Sequence, residues 1–185
     1  MQFKLSRTLL SLCLTILAVS LYSAPAAVVK VAKPVTLDKP DQWPAITAIQ
    51  QLATAGGESA RWTACYDEEN LYLLFRVHDE SPLKNSASAF DPAMILKGGD
   101  AVGFCFGPSE NNGQLQRIIV GCLDGKPLAV CYRPVSKERK PYSFSSPVST
   151  YVMDYVAPLP QVRAAFSTID GGYALGVAVP WKVLG

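Results

Sequence analysis

Arg61-Trp62-Thr63-Ala64-Cys65-Tyr66 and Leu71-Tyr72-Leu73-Leu74-Phe75-Arg76-Val77 flank the polar tetrad Asp67-Glu68-Glu69-Asn70. Leu71, Leu73, Phe75 and Val77 fall on one face of an extended chain, and Tyr72, Leu74, Arg76 and His78 on the other. An apolar period of two marks a half-buried strand, because successive Cβ atoms alternate between the faces of a sheet. Asp and Asn in the tetrad bond readily to nearby backbone and favour a tight turn. The two segments therefore form an antiparallel hairpin.

The same signals recur outward from this hairpin. Residues 101–106 follow the turn Lys97-Gly98-Gly99-Asp100 as a further strand. Residues 117–122 and 127–132 flank Asp124-Gly125, a hairpin signal because both positions tolerate positive φ. Residues 162–167 and 173–179 flank Asp170-Gly171-Gly172 in the same way. Residues 44–54 carry Ala45, Ile46, Ala48, Ile49 and Leu52, compatible with a short helix or a strand. Short strands without βα alternation predict an all-β chain, an antiparallel β-sandwich of immunoglobulin-like or jelly-roll type. The connections 80–99 and 133–161 are rich in Pro, Ser and Lys, and read as long loops on which binding residues are expected.

Lys4 and Arg7 precede an apolar run from Leu9 to Leu21. Thirteen helical residues rise only ~20 Å, short of a ~30 Å hydrocarbon core. Ala24-Pro25-Ala26 follows with small side chains, so residues 1–26 are expected to be a secretory signal peptide and 27–185 one exported domain, secreted or periplasmic. The 185 residues hold 17 Lys and Arg against 15 Asp and Glu, and 49% are hydrophobic. Without Lys4 and Arg7, the 15 acidic residues are matched one for one, and the mature chain is formally neutral. That balance argues against nucleic acid as a partner and suits an uncharged one. The mean hydropathy of +0.17 includes the leader, and no membrane span is expected in the mature chain.

Cys65, Cys105, Cys122 and Cys131 remain after Cys13 leaves. Their even number permits two disulfides, and their apolar surroundings suit buried thiols equally well. No C-x-x-C, nucleophile elbow, phosphate loop or H-E-x-x-H is present, and His78 is the only histidine. No catalytic residue is expected on these grounds.

Four blocks in order resemble family 9 carbohydrate-binding modules. Residues 35–43 resemble their "xDGxxDxxW" opening, 64–73 their "xxxYDxxxLYV" hairpin, 99–102 their "GDxVE" strand, and 171–181 "GGYxxExxIPW". The resemblance implies non-catalytic binding of a glycan, with a glycoside hydrolase as a further partner. It also implies a calcium ion, for which Asp79 and Asp100 are the candidate ligands. Ligand contact falls to Trp62, Tyr66, Lys97, Tyr132, Arg133 and Tyr142, with Tyr151, Tyr155 and Arg163 as further surface candidates. Trp43 and Trp181 read as core plugs. Lys97 stands where the family carries a sugar-stacking Trp, and Gly103 and Gly176 where it carries acids. The family continues past the position of Gly185, so the domain reads as incomplete at its C-terminal end. Two other readings stand beside this one. The first is a DOMON-type haem or electron-transfer domain with Met94, Met153 or His78 as axial ligands. The second is a structural sandwich without ligand, and behind both stands an intrinsic glycosidase using a pair of carboxylates.

Overall fold

The computed structural model describes residues 28–43, 50–53, 59–79, 83–88, 90–107 and 115–185. The expected leader, residues 1–26, lies outside them. So do residues 44–49 and 54 of the segment left open between helix and strand. Gln50–Ala53 within that segment is a strand, β2. Among the described residues no helix is long and apolar enough to cross a membrane.

The opening hairpin is β3 (Ser59–Tyr66) and β4 (Asn70–His78). Its turn forms because Asp67 Oδ1 accepts the N–H groups of Glu69 and Asn70, both at 2.8 Å. β1 (Val29–Lys30) runs parallel to β3, opposite Cys65 and Tyr66, while β2 lies antiparallel along the other end of β3. β11 (Arg163–Ile169) and β12 (Gly172–Pro180) complete a six-stranded sheet in the order β1-β3-β4-β12-β11, with β2 also on β3. The smaller sheet has the order β10-β7-β6-β5, built from β5 (Ala101–Phe106), β6 (Gln116–Leu123), β7 (Lys126–Arg133) and β10 (Tyr155–Pro158). Asp124 and Gly125, at φ 48° and 76°, close the β6–β7 hairpin as a primed turn. Pro180 ends β12, and the single-turn helix α1 (Trp181–Leu184) follows.

The sheets face each other across an apolar layer in which Ile118, Val120, Leu175, Val177 and Val179 are fully buried. Two further layers lie outside it. The segment from Val31 to Trp43 crosses the outer face of the larger sheet as a strap, packing on Cys65, Tyr72, Leu74, Ala174 and Ala178. On the smaller sheet, the 3-10 turn Pro92–Leu96 and the hairpin of β8 (Tyr142–Ser145) and β9 (Thr150–Met153) bury Ile95 and Phe144 against Tyr132 and Val130.

Two expectations are corrected here. β4 is not half-buried, because the strap covers Tyr72 and Leu74 while Leu73 and Phe75 face the sandwich interior. Residues 133–161 are not a plain loop, since β8, β9 and β10 lie within them. Each has four residues, and the intervening Ser and Pro hide the alternation that would announce a strand.

Candidate functional site

The inner face of β3 and β4 is not fully covered where it meets β5, the edge strand of the smaller sheet. A cleft of about 380 Å³ opens there, within the range of about 300–1,000 Å³ common for small-ligand sites. Trp62, Leu71 and Phe75 form one wall, Phe104 and Phe106 the other, and Val28 and Leu184 line it as well. The walls follow from strand parity. Trp62 shares its face with buried Ala64, and Phe104 and Phe106 share theirs with buried Val102. The rings of Phe104 and Phe106 lie 6.5 Å apart. A cleft of this kind offers aromatic faces to a ligand with an apolar side, and Cys105 is the sulfur on its lining.

Of the sequence candidates, Trp62 is the one in this cleft. Tyr66 packs edge-to-face on Trp181 at 6.0 Å. Trp181 is 37% exposed, with its indole N–H on the Asp67 carbonyl at 3.0 Å, so it is a rim residue and not a core plug. Trp43 is buried as expected, its indole N–H on the Thr36 carbonyl at 2.9 Å. Tyr132 is corrected from surface to core, being fully buried with its hydroxyl donated to the Ala93 carbonyl at 2.7 Å. Burial pushes its phenol well above the usual range.

Lys97 and Tyr142 belong to the outer layer on the smaller sheet. The Lys97 ammonium lies 5.4 Å over the Phe144 ring. Tyr142 packs on the same ring at 4.7 Å and donates to Asp91 Oδ2 at 2.6 Å. Arg133 is held by Gln116 Oε1 at 2.6 Å and lies 5.0 Å over Tyr155. Tyr151 and Arg163 are exposed, on β9 and β11. The six candidates therefore do not form one surface. Phe104 and Phe106, which do share the cleft with Trp62, were legible from the Val102-Phe104-Phe106 alternation and went unused.

Asp79 and Asp100 sit at the end of β4 and just before β5. Burial, then the Asp100 and Asp79 charges, push the Tyr173 phenol up to about 12. Calcium takes about six to eight oxygens. Among the described residues no group of three His, Cys, Asp or Glu could hold a metal. Asp100 Oδ2 already accepts the Lys84 N–H at 2.8 Å.

Of the candidate haem ligands, His78 lies apart from the two methionines. Met94 and Met153 pack in the outer layer of the smaller sheet, whereas His78 shares the outer face of the larger sheet with Tyr72 and Leu74. All four described cysteines are free thiols, with Cys65 and Cys131 buried.

No protein-family model matches this chain, and no curated protein does. Among solved structures, it is similar to a carbohydrate binding module family 9 (CBM9) from Caldicellulosiruptor kristjanssonii in complex with glucose. The TM-score is 0.40 and the identity 13%, over 83% of this chain and 68% of the other.

Proposed function

We propose that this chain is a non-catalytic carbohydrate-binding β-sandwich, exported and tethering a neutral glycan. The observation that carries the reading is the cleft walled by Trp62, Phe75, Phe104 and Phe106. Aromatic walls suit the C–H face of a pyranose, and an uncharged cleft suits an uncharged polymer. The four sequence blocks support it independently of the cleft. A glycoside hydrolase acting on the same polymer is the natural companion of such a module.

Isothermal titration against xylan, cellulose and their oligomers is the test. Heat of binding that disappears in Trp62→Ala is the expected result. No heat from any of these ligands would remove the proposal.

A further inference from the structure

The outer face of the larger sheet carries an arrangement that the fold does not need. In the β3–β4 ladder Arg61 lies directly opposite Arg76, and in the next row of that face Ser59 lies opposite His78. Like charges paired across a ladder oppose folding. Arg76 donates to Asp41 Oδ1 at 2.9 Å, but the Asp41 side chain is 89% exposed, and such a pair is weak. Among the described residues the Arg61 side chain makes no hydrogen bond or ion pair. Both arginines line a depression of about 350 Å³ together with Ser59, His78 and Asp170. They line a second, of about 220 Å³, with Trp62, Thr63 and Leu74. Thr63 Oγ1 is buried without a hydrogen-bond partner. Asp170, itself exposed, is the one carboxylate among the residues lining the two.

We propose that this face binds a tetrahedral oxyanion, a sulfate or phosphate group, between Arg61 and Arg76, with Ser59 and His78 as further donors. Two guanidinium forks on neighbouring strands match an anion that offers oxygens in more than one plane. Its charge also relieves the Arg–Arg repulsion, which no described residue does for Arg61. Asp41 is then a competitor for Arg76. The oxyanion arrives either as the free ion or as an ester on a larger molecule, since both present the same oxygens. The site does not depend on the cleft, which opens on the opposite face of the sheet.

Thermal melts and calorimetric titrations of the full chain with sodium sulfate, sodium phosphate, dextran sulfate and uncharged dextran test it at fixed ionic strength. An upward shift of Tm is expected with at least one anionic probe and none with dextran. Affinity is expected to fall at least tenfold in Arg61→Gln and in Arg76→Gln, and to rise in Asp41→Asn. Arg117→Gln, exposed on β6, is expected to bind as the parent does. Without anion, Arg61→Gln is expected to melt about 1–3 °C higher, as relief of like-charge repulsion requires. A response to the inorganic ions alone assigns the free ion, and a response to dextran sulfate alone assigns the ester. Equal affinity in all three arginine variants, or an unchanged Tm with every probe, overturns the proposal. Phe104→Ala, on the β5 wall of the cleft and on neither depression, is expected to leave these responses intact, which separates failure here from failure of the cleft.

Discussion

The Tyr72 hydroxyl donates a 2.6 Å hydrogen bond to Asp67 Oδ2, joining a fully buried ring to the turn that closes the first hairpin. Oδ1 of the same carboxylate holds two backbone N–H groups. The turn and the outer core of the larger sheet therefore share one charged acceptor.

Asp67 feels some burial, which opposes its charge, but the bonds from Tyr72, Glu69 and Asn70 prevail and hold its carboxyl below 3.8. A lowered carboxyl stabilises the fold above its ordinary value and ceases to do so as pH falls through the lowered one. Tyr72→Phe is expected to lose about 1 kcal/mol at neutral pH and to flatten the stability profile on the acid side. Urea melts between about pH 5 and pH 2 measure both. An unchanged acid profile would show that the Tyr72 bond does not tune this carboxylate.

At the alkaline end, burial comes first for both Tyr72 and Tyr173. The Asp67 hydrogen bond then adds to the former and nearby carboxylates to the latter, and each phenol rises to about 12. A raised phenol stabilises the fold fully below its ordinary value of 10.0, and that stabilisation is lost as pH climbs through the raised value. Unfolding is expected to set in between about pH 10 and pH 12, with buried tyrosinate absorbance appearing together with loss of near-ultraviolet circular dichroism. Tyrosinate absorbance that completes while the fold persists would contradict this.

Trp62→Ala removes a cleft wall that is only partly buried. It is expected to abolish glycan binding at a stability loss of about 1–3 kcal/mol, while Trp43 keeps its buried fluorescence. Retained binding would place the ligand elsewhere.

Gly103 and Gly176 stand where the resembled family has acids, and the structure separates them. A Cβ on Gly103 would meet Ile119 Cγ1 at 3.5 Å, an ordinary contact. A Cβ on Gly176 would stand 2.3 Å from the Leu37 carbonyl oxygen, against backbone of the strap. Gly103→Ala is expected to be neutral or stabilising by about 0.5 kcal/mol. Gly176→Ala is expected to destabilise by about 2 kcal/mol or more, and denaturant midpoints of the two variants decide it.

The hairpins at Asp67–Asn70, Asp124–Gly125 and Asp170–Gly172 were legible because turn chemistry and alternation are local properties of the chain. The strap was not. Val31, Val35, Leu37 and Trp43 carry no strand or helix period, and their partners on β4 and β12 are remote in sequence. Tyr132 was misplaced for a related reason, since its cover, Ala93 and Phe144, comes from connections with weak local signals. Trp62 reaches the cleft by strand parity on β3, which is a local property of the chain. The Arg61–Arg76 pair needed the register, which composition cannot supply.

The strap also bears on the order in which the molecule can assemble. Ser167 Oγ donates to the Asp38 carbonyl across 129 residues of sequence, and β12, which slots between β4 and β11, is the last described strand. During synthesis the strap emerges early, and while its partners on β3 and β4 soon follow, the β12 part of its platform, Ala174 and Ala178, comes last. Pairings this distant delay the folding transition, because the entropy of closing the long loop is lost before any contact repays it. Until β12 arrives, β4 presents a bare edge beside uncovered aromatics, and that nascent state is where the chain is most exposed to self-association.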